Sequence, residues 1–308
     1  KNTDNKIWDD LDICRAMDRR IGSGDSPAVL DHLFIDEVQD LTKAQVQVLA
    51  RMIDQNGERC VAVAGDLSQS VQPSAFTWES LRDILYDCLD ERVDEEAELN
   101  VNFRSTPHLV HAANVLLKEM QGHSGETHRV LQRAYGEEQS DSKGVLGEPV
   151  LFFEANETAL VKELKENKIP HPGCVLLVRD EETKTRLRDL LDSESKDFIE
   201  TISNFKGLEM RNVMLWDPAS GSERLLDLIY DEKRGEQAQS RSGNITTSIL
   251  ELKHLFVAFT RARWLLGVCL PSDRATKNSF FEHVYHGHDE TYWAKFDRFA
   301  EFSGDDID

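Results

Sequence analysis

Basic residues are few relative to acidic ones in this sequence, which has 36 Lys and Arg against 57 Asp and Glu in 308 residues and a formal charge of -21. Contacts to phosphate depend on Lys and Arg, so the shortage argues against nucleic-acid binding over the whole surface. The excess of acid does not exclude a local basic groove. Much of the acid lies in runs such as residues 90–96 and 305–308, which we interpret as solvated loops.

Long apolar runs are missing as well. No run approaches the roughly 20 residues that a helix needs to cross a bilayer, and the first residues do not resemble a signal peptide. We therefore expect an intracellular protein, cytoplasmic or nuclear, that has no membrane partner. The five cysteines have no C-x-x-C spacing, which favours buried free thiols over a zinc site.

The most informative stretch that is present covers residues 33–40, an apolar run that ends in acid. We interpret the run as a buried strand, which places Asp36 and Glu37 at the carboxyl edge of a parallel sheet, where α/β proteins bind ligands. Asp36 could hold Mg²⁺, directly or through water, and Glu37 could take a proton from the water that attacks a nucleoside triphosphate. Gln39 could orient the phosphate. The alternative is a strand that ends in a solvated acidic turn.

Apolar spacing and breaker residues predict an α/β protein with two domains. The predicted first domain covers residues 1–120, a linker 121–146, the second domain 147–275, and a helical and acidic tail 276–308. Helices are predicted at residues 7–21, 42–53, 78–89, 108–120 and 182–191, with Thr42 as an N-cap. Strands are predicted at residues 33–35, 60–64, 150–153, 174–178, 198–202, 213–216 and 264–270, and a short strand ends before Arg104.

Five short motifs resemble, in order, those of the UvrD/Rep group of superfamily 1 DNA helicases. They are Asp-Glu-Val-Gln-Asp at 36–40, Gly-Asp-Leu-Ser-Gln-Ser-Val at 65–71, Asn-Phe-Arg-Ser-Thr at 102–106, Lys-Gly-Leu-Glu at 206–209 and Val-Ala-Phe-Thr-Arg-Ala at 257–262. The resemblance implies two RecA-like domains of the P-loop NTPase type, the first incomplete. It also implies ATP-dependent translocation on single-stranded DNA with Mg²⁺, in the 3′ to 5′ direction. RNA in place of DNA stays open.

The resemblance implies a role for each of several residues. The catalytic residues would be Glu37, Arg104, Arg261 and Gln69, of which both arginines would reach the γ-phosphate across a cleft and Gln69 would sense it. The nucleotide would contact Gln39, Asp66, Gly207 and Glu209, the last at the ribose, while Thr201 would face the nucleic acid. An arginine finger contributes roughly 10³ to 10⁵ in rate. The alternatives are surface salt bridges for the arginines and a turn cap for Asp66.

The sequence departs from that family at the phosphate loop. The family depends on G-x-x-x-x-G-K-[ST], and this sequence contains no Gly-Lys dipeptide. We therefore expect the carboxyl-terminal portion of a helicase that lacks the Walker A loop and, alone, hydrolyses ATP poorly. Between the Asn-Phe-Arg and Lys-Gly motifs there is also no room for the family's large inserted subdomain.

A second departure affects the nucleic-acid contacts. The family's stacking positions are occupied by Gln72, Ser74 and Ala75. Phe76 or Trp78 could stack on bases instead, although we favour the alternative that both pack in the core against a helix. These departures support a rival function, an inactive helicase-like module for protein interaction or regulation.

Two lesser features lie near the end of the sequence. A metal could be imagined at His283, His286 and His288, although no cysteine lies nearby. The aromatic residues Tyr292, Trp293, Phe296 and Phe299 have one-sided helical spacing, which predicts a helix docked on the second domain. A helix that binds a partner is the alternative.

Overall fold

The computed structural model describes residues 9–24, 30–53, 59–70, 76–90, 97–124, 133–134, 148, 150–222, 226, 242–272, 280–281, 291–293, 296 and 299–300. These residues form a mixed α/β protein with parallel sheets, which confirms the predicted class. The chain divides into two compact units, Lys1–Ala97 and Glu98–Asp308.

The described part of the first unit consists of three α-helices and two strands. In chain order they are α1 (Asp10–Gly22), β1 (His32–Ile35), α2 (Lys43–Arg51), β2 (Cys60–Val63) and α3 (Trp78–Leu89). Thr42 begins α2 as predicted: its hydroxyl accepts the Gln45 backbone N–H at 3.3 Å, and the Gln45 side chain accepts the Thr42 N–H at 2.7 Å. This capping box satisfies two N–H groups that a helix start leaves without partners.

β1 and β2 pair in parallel and bury one face of their small sheet. Leu33 and Ile35 are buried in a core shared with α2 and α3. On the other face Phe34 is 71% exposed, and Cys60 of β2 is exposed as well. The alternation in β1 arises because successive side chains of a strand point to opposite faces.

The second unit is organised around a larger sheet. Its described elements are β3 (Val101–Asn102), α4 (Pro107–Ser124), β4 (Arg133–Ala134), β5 (Val150–Ala155), α5 (Glu157–Glu166), β6 (Cys174–Val178), α6 (Glu181–Leu190), β7 (Ile199–Thr201), β8 (Met210–Trp216), α7 (Ser242–Phe259), β9 (Ala262–Pro271) and β10 (Thr291–Trp293). Six parallel strands form one sheet in the order β10-β5-β9-β8-β6-β7, and β3 pairs with β4. Every residue of β6 is buried, as expected for an inner parallel strand covered on both faces.

Helix α4 packs within the second unit. It contacts α7 and β9, and Leu116 and Met120 are fully buried. The predicted first domain extends to residue 120, whereas the compact units divide after Ala97. The predicted domain boundaries therefore stay a prediction.

The aromatic residues near the end differ from the predicted helix. Tyr292 and Trp293 lie in β10, where they pair with Leu151 and Phe152 of β5. The prediction was wrong there because aromatic residues also suit strands, and the edge of β5 offers backbone groups for pairing. Phe296 and Phe299 are buried in the core of the sheet, so docking on the second unit is confirmed for them.

The five cysteines are free, and three of them are buried. The predicted burial is confirmed for Cys14, Cys174 and Cys269, while Cys60 is exposed and Cys88 is partly exposed. Among the described residues, none of the helices has both the length and the hydrophobicity required to cross a membrane. The three histidines at 283, 286 and 288 lie outside the described residues.

Candidate functional site

The acidic end of β1 has an unusual backbone. Glu37 adopts a left-handed conformation with φ of 51°, which few residues other than glycine adopt. Its N–H donates to Asp36 Oδ1 at 2.9 Å, and the next N–H, of Val38, donates to the carbonyl of Ala64 at 3.0 Å beyond the end of β2. The strand therefore ends in a sharp turn at the two carboxylates. Strained backbone of this kind is concentrated at functional sites.

A chain of hydrogen bonds joins the ends of β1 and β2. Gln39 is fully buried; its Nε2 donates to Glu37 Oε2, and its Oε1 accepts the Asp66 N–H at 3.0 Å. Gln69 Nε2 donates to Asp66 Oδ2 at 3.0 Å. Four of the predicted site residues, Glu37, Gln39, Asp66 and Gln69, thus belong to one network, and Asp36 is linked to it through the backbone of Glu37.

Gly65 is required by this network. A Cβ at this position would lie 2.6 Å from Gln39 Oε1 and 2.8 Å from Val38 Cγ1. Contacts under 3 Å force a displacement, so any larger residue would move the buried Gln39. Asp66 also accepts the Ser68 N–H through Oδ1 at 2.8 Å, which is the turn-capping role that the alternative assigned to it.

The carboxylates at this end of the first unit could hold Mg²⁺ only together with waters and substrate phosphates, as in nucleotide enzymes. Among the described residues, no group of three or more His, Cys, Asp or Glu side chains could hold a metal ion. Mg²⁺ is usually held by one or two carboxylates together with waters and substrate phosphates. The exposed Asp36 and the partly buried Glu37 could supply that number.

Phe76 and Trp78 lie in the first unit and contact each other edge to face, with ring centroids 5.5 Å apart. Phe76 is buried in the core with Leu33 and Leu85, while Trp78 is only partly buried. Phe76 therefore has the position that the core alternative predicted. A role of either ring in stacking on bases stays a prediction.

In the second unit, Arg104 and Glu209 form an ion pair, with Arg104 Nε 2.6 Å from Glu209 Oε2. Asn102 shapes the loop that carries the arginine, because its Oδ1 accepts the N–H groups of Arg104 and Ser105 at 2.8 and 2.9 Å. Arg263 approaches the same carboxylate, with its Nη1 3.5 Å from Glu209 Oε1. Two residues from separate motifs, Arg104 and Glu209, are thus brought together.

Arg261 is buried rather than exposed. It follows α7, it is 2% exposed, and its Nε donates to the carbonyl of Val257 at 2.9 Å. Its two terminal nitrogens donate to the Leu208 carbonyl and to Thr260 Oγ1, both at 3.0 Å. The guanidinium therefore connects the end of α7 to the residue before Glu209. This environment differs from the surface salt bridge considered as the alternative.

The turn between β7 and β8 contains Gly207 and begins after Thr201, the last residue of β7. Gly207 has φ of 80°, and no protein atom lies within 4 Å of a Cβ placed there, so its backbone conformation explains the glycine better than a close neighbour does. Thr201 is buried, and its hydroxyl accepts the Asn204 N–H at 3.2 Å. The structure therefore gives Thr201 a role in closing this turn.

Sequence reasoning missed the charges around Thr201. Lys184 is buried and donates to Glu200 Oε1 at 2.5 Å, and the same oxygen accepts the Thr201 N–H at 2.8 Å. Burial raises the pKa of the Glu200 carboxyl, but the hydrogen bonds from Lys184, Thr201 and Asn204 outweigh it, so the net pKa lies below the ordinary value. The carboxylate beside Thr201 thus stays charged, and its charge is paired with that of the buried Lys184.

Arg263 was also missed, although a signal was present. The Arg-Ala-Arg sequence at 261–263 puts a second arginine immediately before the strand predicted at 264–270, outside the apolar run that forms the core. Spacing alone could not identify its partner, because Glu209 is remote in the sequence.

No family model matches the chain. It is 24% identical over 299 residues to the human TPR and ankyrin repeat-containing protein 1, a match that covers 83% of this chain and 10% of that protein. It is 24% identical over 204 residues to an ATP-dependent helicase/nuclease subunit of Syntrophomonas wolfei subsp. wolfei, a match that covers 60% of this chain and 15% of that protein. The chain therefore spans a small part of the length of these relatives and has a distant similarity to a helicase-type protein.

Proposed function

We propose that the chain is part of a UvrD/Rep-type motor that hydrolyses ATP with Mg²⁺ and moves on single-stranded DNA. The observation that carries the proposal is the hydrogen-bonded network of Glu37, Gln39, Asp66 and Gln69 at the carboxyl ends of two parallel strands. Ligands of open α/β sheets bind at that edge. The distant similarity to an ATP-dependent helicase/nuclease protein supports the same class of activity.

Within the proposal, the first unit supplies the acidic chemistry. Asp36 and Glu37 would hold Mg²⁺, Glu37 would take a proton from the attacking water, and Gln69 would sense the γ-phosphate. Mg²⁺ would neutralise charge on the phosphate oxygens when it is bound. Gln39 would keep the Glu37 carboxylate oriented, since its two hydrogen bonds are made inside the protein. The two units would be RecA-like domains.

The second unit would supply the positive charge and the ribose contact. Arg104 is the more accessible arginine and would contact a phosphate, while Glu209 would contact the ribose. Arg261 would contact the γ-phosphate as well. Its hydrogen bond to the Leu208 carbonyl also fixes the backbone beside Glu209. Thr201 and Trp78 would lie toward the nucleic acid, with DNA not distinguished from RNA.

The test is ATP hydrolysis by the protein in its full natural length, with Mg²⁺ and with or without single-stranded DNA. We expect DNA to stimulate turnover, and Glu37→Gln to lower kcat by roughly 10² to 10⁴ while nucleotide binding persists, because a positioned base contributes that much. Asp31→Asn is the matched control, since it removes an exposed carboxylate at the opposite end of β1. It should leave turnover unchanged.

A second candidate function is an inactive helicase-like module for protein interaction. It is favoured by the internal hydrogen bonds of Arg261, which engage the guanidinium inside the second unit. A folded full-length protein that neither binds nor hydrolyses ATP would contradict the motor and favour this module. Equal turnover in the wild type and in Glu37→Gln would contradict the role of Glu37.

A further inference from the structure

Glu209 is shared by two arginines that come from distant parts of the second unit. Arg104 Nε lies 2.6 Å from Glu209 Oε2, and Arg263 Nη1 lies 3.5 Å from Glu209 Oε1. Each arginine thus approaches a different oxygen of one carboxylate. The three side chains are 48%, 57% and 37% exposed for Arg104, Arg263 and Glu209, so a ligand from solvent could reach all of them.

The backbone holds these three residues at fixed separations. Ser105 Oγ donates to the Ala262 carbonyl at 2.9 Å, and the Thr106 N–H donates to the Arg263 carbonyl at 3.2 Å, so the loop of Arg104 is fastened to the start of β9. The Met210 N–H donates to the Arg261 carbonyl at 3.0 Å, which fastens the residue after Glu209 to the same place. The side chain of Arg104 can therefore leave Glu209 for another partner while the backbone stays in place.

This geometry creates a conflict if Arg104 also serves a phosphate. Arg104 would have to leave Glu209, and the carboxylate would then face an anionic ligand with less compensating charge. A carboxylate is repelled by a nearby phosphate, since both are negative, unless a cation remains beside the carboxylate. Arg263 is the cation that already approaches the other carboxylate oxygen.

We propose that Arg263 is a positioning residue, which holds the Glu209 carboxylate in place when Arg104 turns from Glu209 to a nucleotide phosphate. The inference rests on the proposed function, because it assumes that Glu209 contacts a ribose. Arg263 acts through Glu209 and makes no contact with the nucleotide. Its purpose is to keep the ribose contact while the phosphate contact forms.

The experiment compares binding of ATP and of 2′,3′-dideoxy-ATP by the full-length protein with Mg²⁺. The two nucleotides differ only in the ribose hydroxyls, so the ratio of their Kd values measures the ribose contact. We expect the wild type to prefer ATP, and Arg263→Ala to weaken ATP about tenfold and dideoxy-ATP little, because a hydrogen bond to a charged group contributes on that order. Glu209→Ala should give the same reduced ratio, and the double variant should be no worse.

Two further variants separate positioning from a general effect of charge or structure. Arg263→Lys should restore part of the preference, since it keeps a cation near Glu209. Arg211→Ala removes another exposed arginine, whose guanidinium carbon lies 5.9 Å from the ring centroid of Trp264, and should leave the ratio unchanged. Thermal unfolding should hardly differ among these variants, because exposed ion pairs contribute little to stability.

The possible outcomes are distinguishable. If Glu209→Ala removes the preference for ATP and Arg263→Ala does not, the inference about Arg263 is wrong and the nucleotide site stands. If Arg263→Ala weakens both nucleotides equally, Arg263 contacts the phosphates itself and the positioning role is wrong. If the wild type binds neither nucleotide, the proposed function fails and this inference fails with it.

Discussion

At the scale of single residues, His254 in α7 connects the fold of the second unit to pH. The pKa of its imidazole is lowered to about 4, first by burial and then by the charge of Arg179, while Glu251 opposes the shift only in part. The Nε2 atom of His254 is buried without a hydrogen-bond partner. Nearby, Arg179 Nη2 lies 2.5 Å from Glu251 Oε2, in an ion pair rather than an aligned hydrogen bond.

The expected pH dependence follows from this lowered pKa. The folded protein keeps His254 neutral down to about pH 4, whereas the unfolded chain takes up a proton below about 6.5. The stability contribution is therefore present above pH 6.5 and is lost as the pH falls toward 4, by about 3 kcal/mol. Urea unfolding gives the free energy of unfolding of the wild type and of His254→Leu, which cannot titrate at this position, over a range of pH. The difference between the two pH profiles measures the contribution of His254. Parallel profiles would contradict the prediction.

Two residues of the site also illustrate what a sequence can reveal at this scale. The motif containing Glu37 and Gln39 predicted a functional role, and the structure joins both to Asp66 in one network. The burial of Arg261 was not predictable, because two of its partners are backbone carbonyls, which any sequence possesses. Residue type indicates chemistry, but the partner of a buried arginine depends on the local fold.

At the scale of elements, Gly267 in the inner strand β9 determines how closely Phe299 packs against the sheet. A Cβ at this position would lie 2.7 Å from two ring atoms of Phe299 and 3.0 Å from Phe153 Cε2. Phe299 is fully buried, so its ring has no open space into which it could move. The glycine therefore makes room for an aromatic ring on the face of the sheet.

We expect Gly267→Ala to lower the free energy of unfolding by about 1 to 3 kcal/mol, the usual cost of overpacking a core. Phe299→Leu alone should also destabilise, because it leaves a cavity. In the double variant the smaller side chain should accommodate the new methyl group, so the two costs should not add. Chemical denaturation of the four proteins gives the coupling energy, and strictly additive costs would contradict this packing.

The elements themselves were predictable to different degrees. Strand β6 and helix α3 have the predicted limits, because one is a continuous apolar run and the other has clear helical spacing after a Thr. β10 was not predicted, since three residues carry too little periodicity to separate a strand from a helix. The pairing of Arg104 with Glu209 needed the tertiary structure, although each had been selected from its own motif.

At the scale of the whole molecule, the two compact units have very different sheets. The first unit pairs only β1 with β2 in its described part, and Phe34 on the outer face is largely exposed. Parallel sheets are normally covered on both faces, and two strands alone are marginally stable. The second unit has a six-stranded parallel sheet whose inner strands are buried. The second unit should therefore contribute most of the independent stability.

Fragments test both this difference and the domain boundary. We expect residues 98–308 to unfold cooperatively in urea, and residues 1–97 to show a shallow transition and to bind hydrophobic dyes. A fragment of residues 121–308 begins at the predicted linker and lacks most of α4. It should be much less stable than 98–308, because removing Leu109, Leu116 and their buried neighbours exposes the surface of α7 and β9 that α4 covers. Equal stability of these two fragments would show instead that α4 belongs with the first domain, as the sequence predicted.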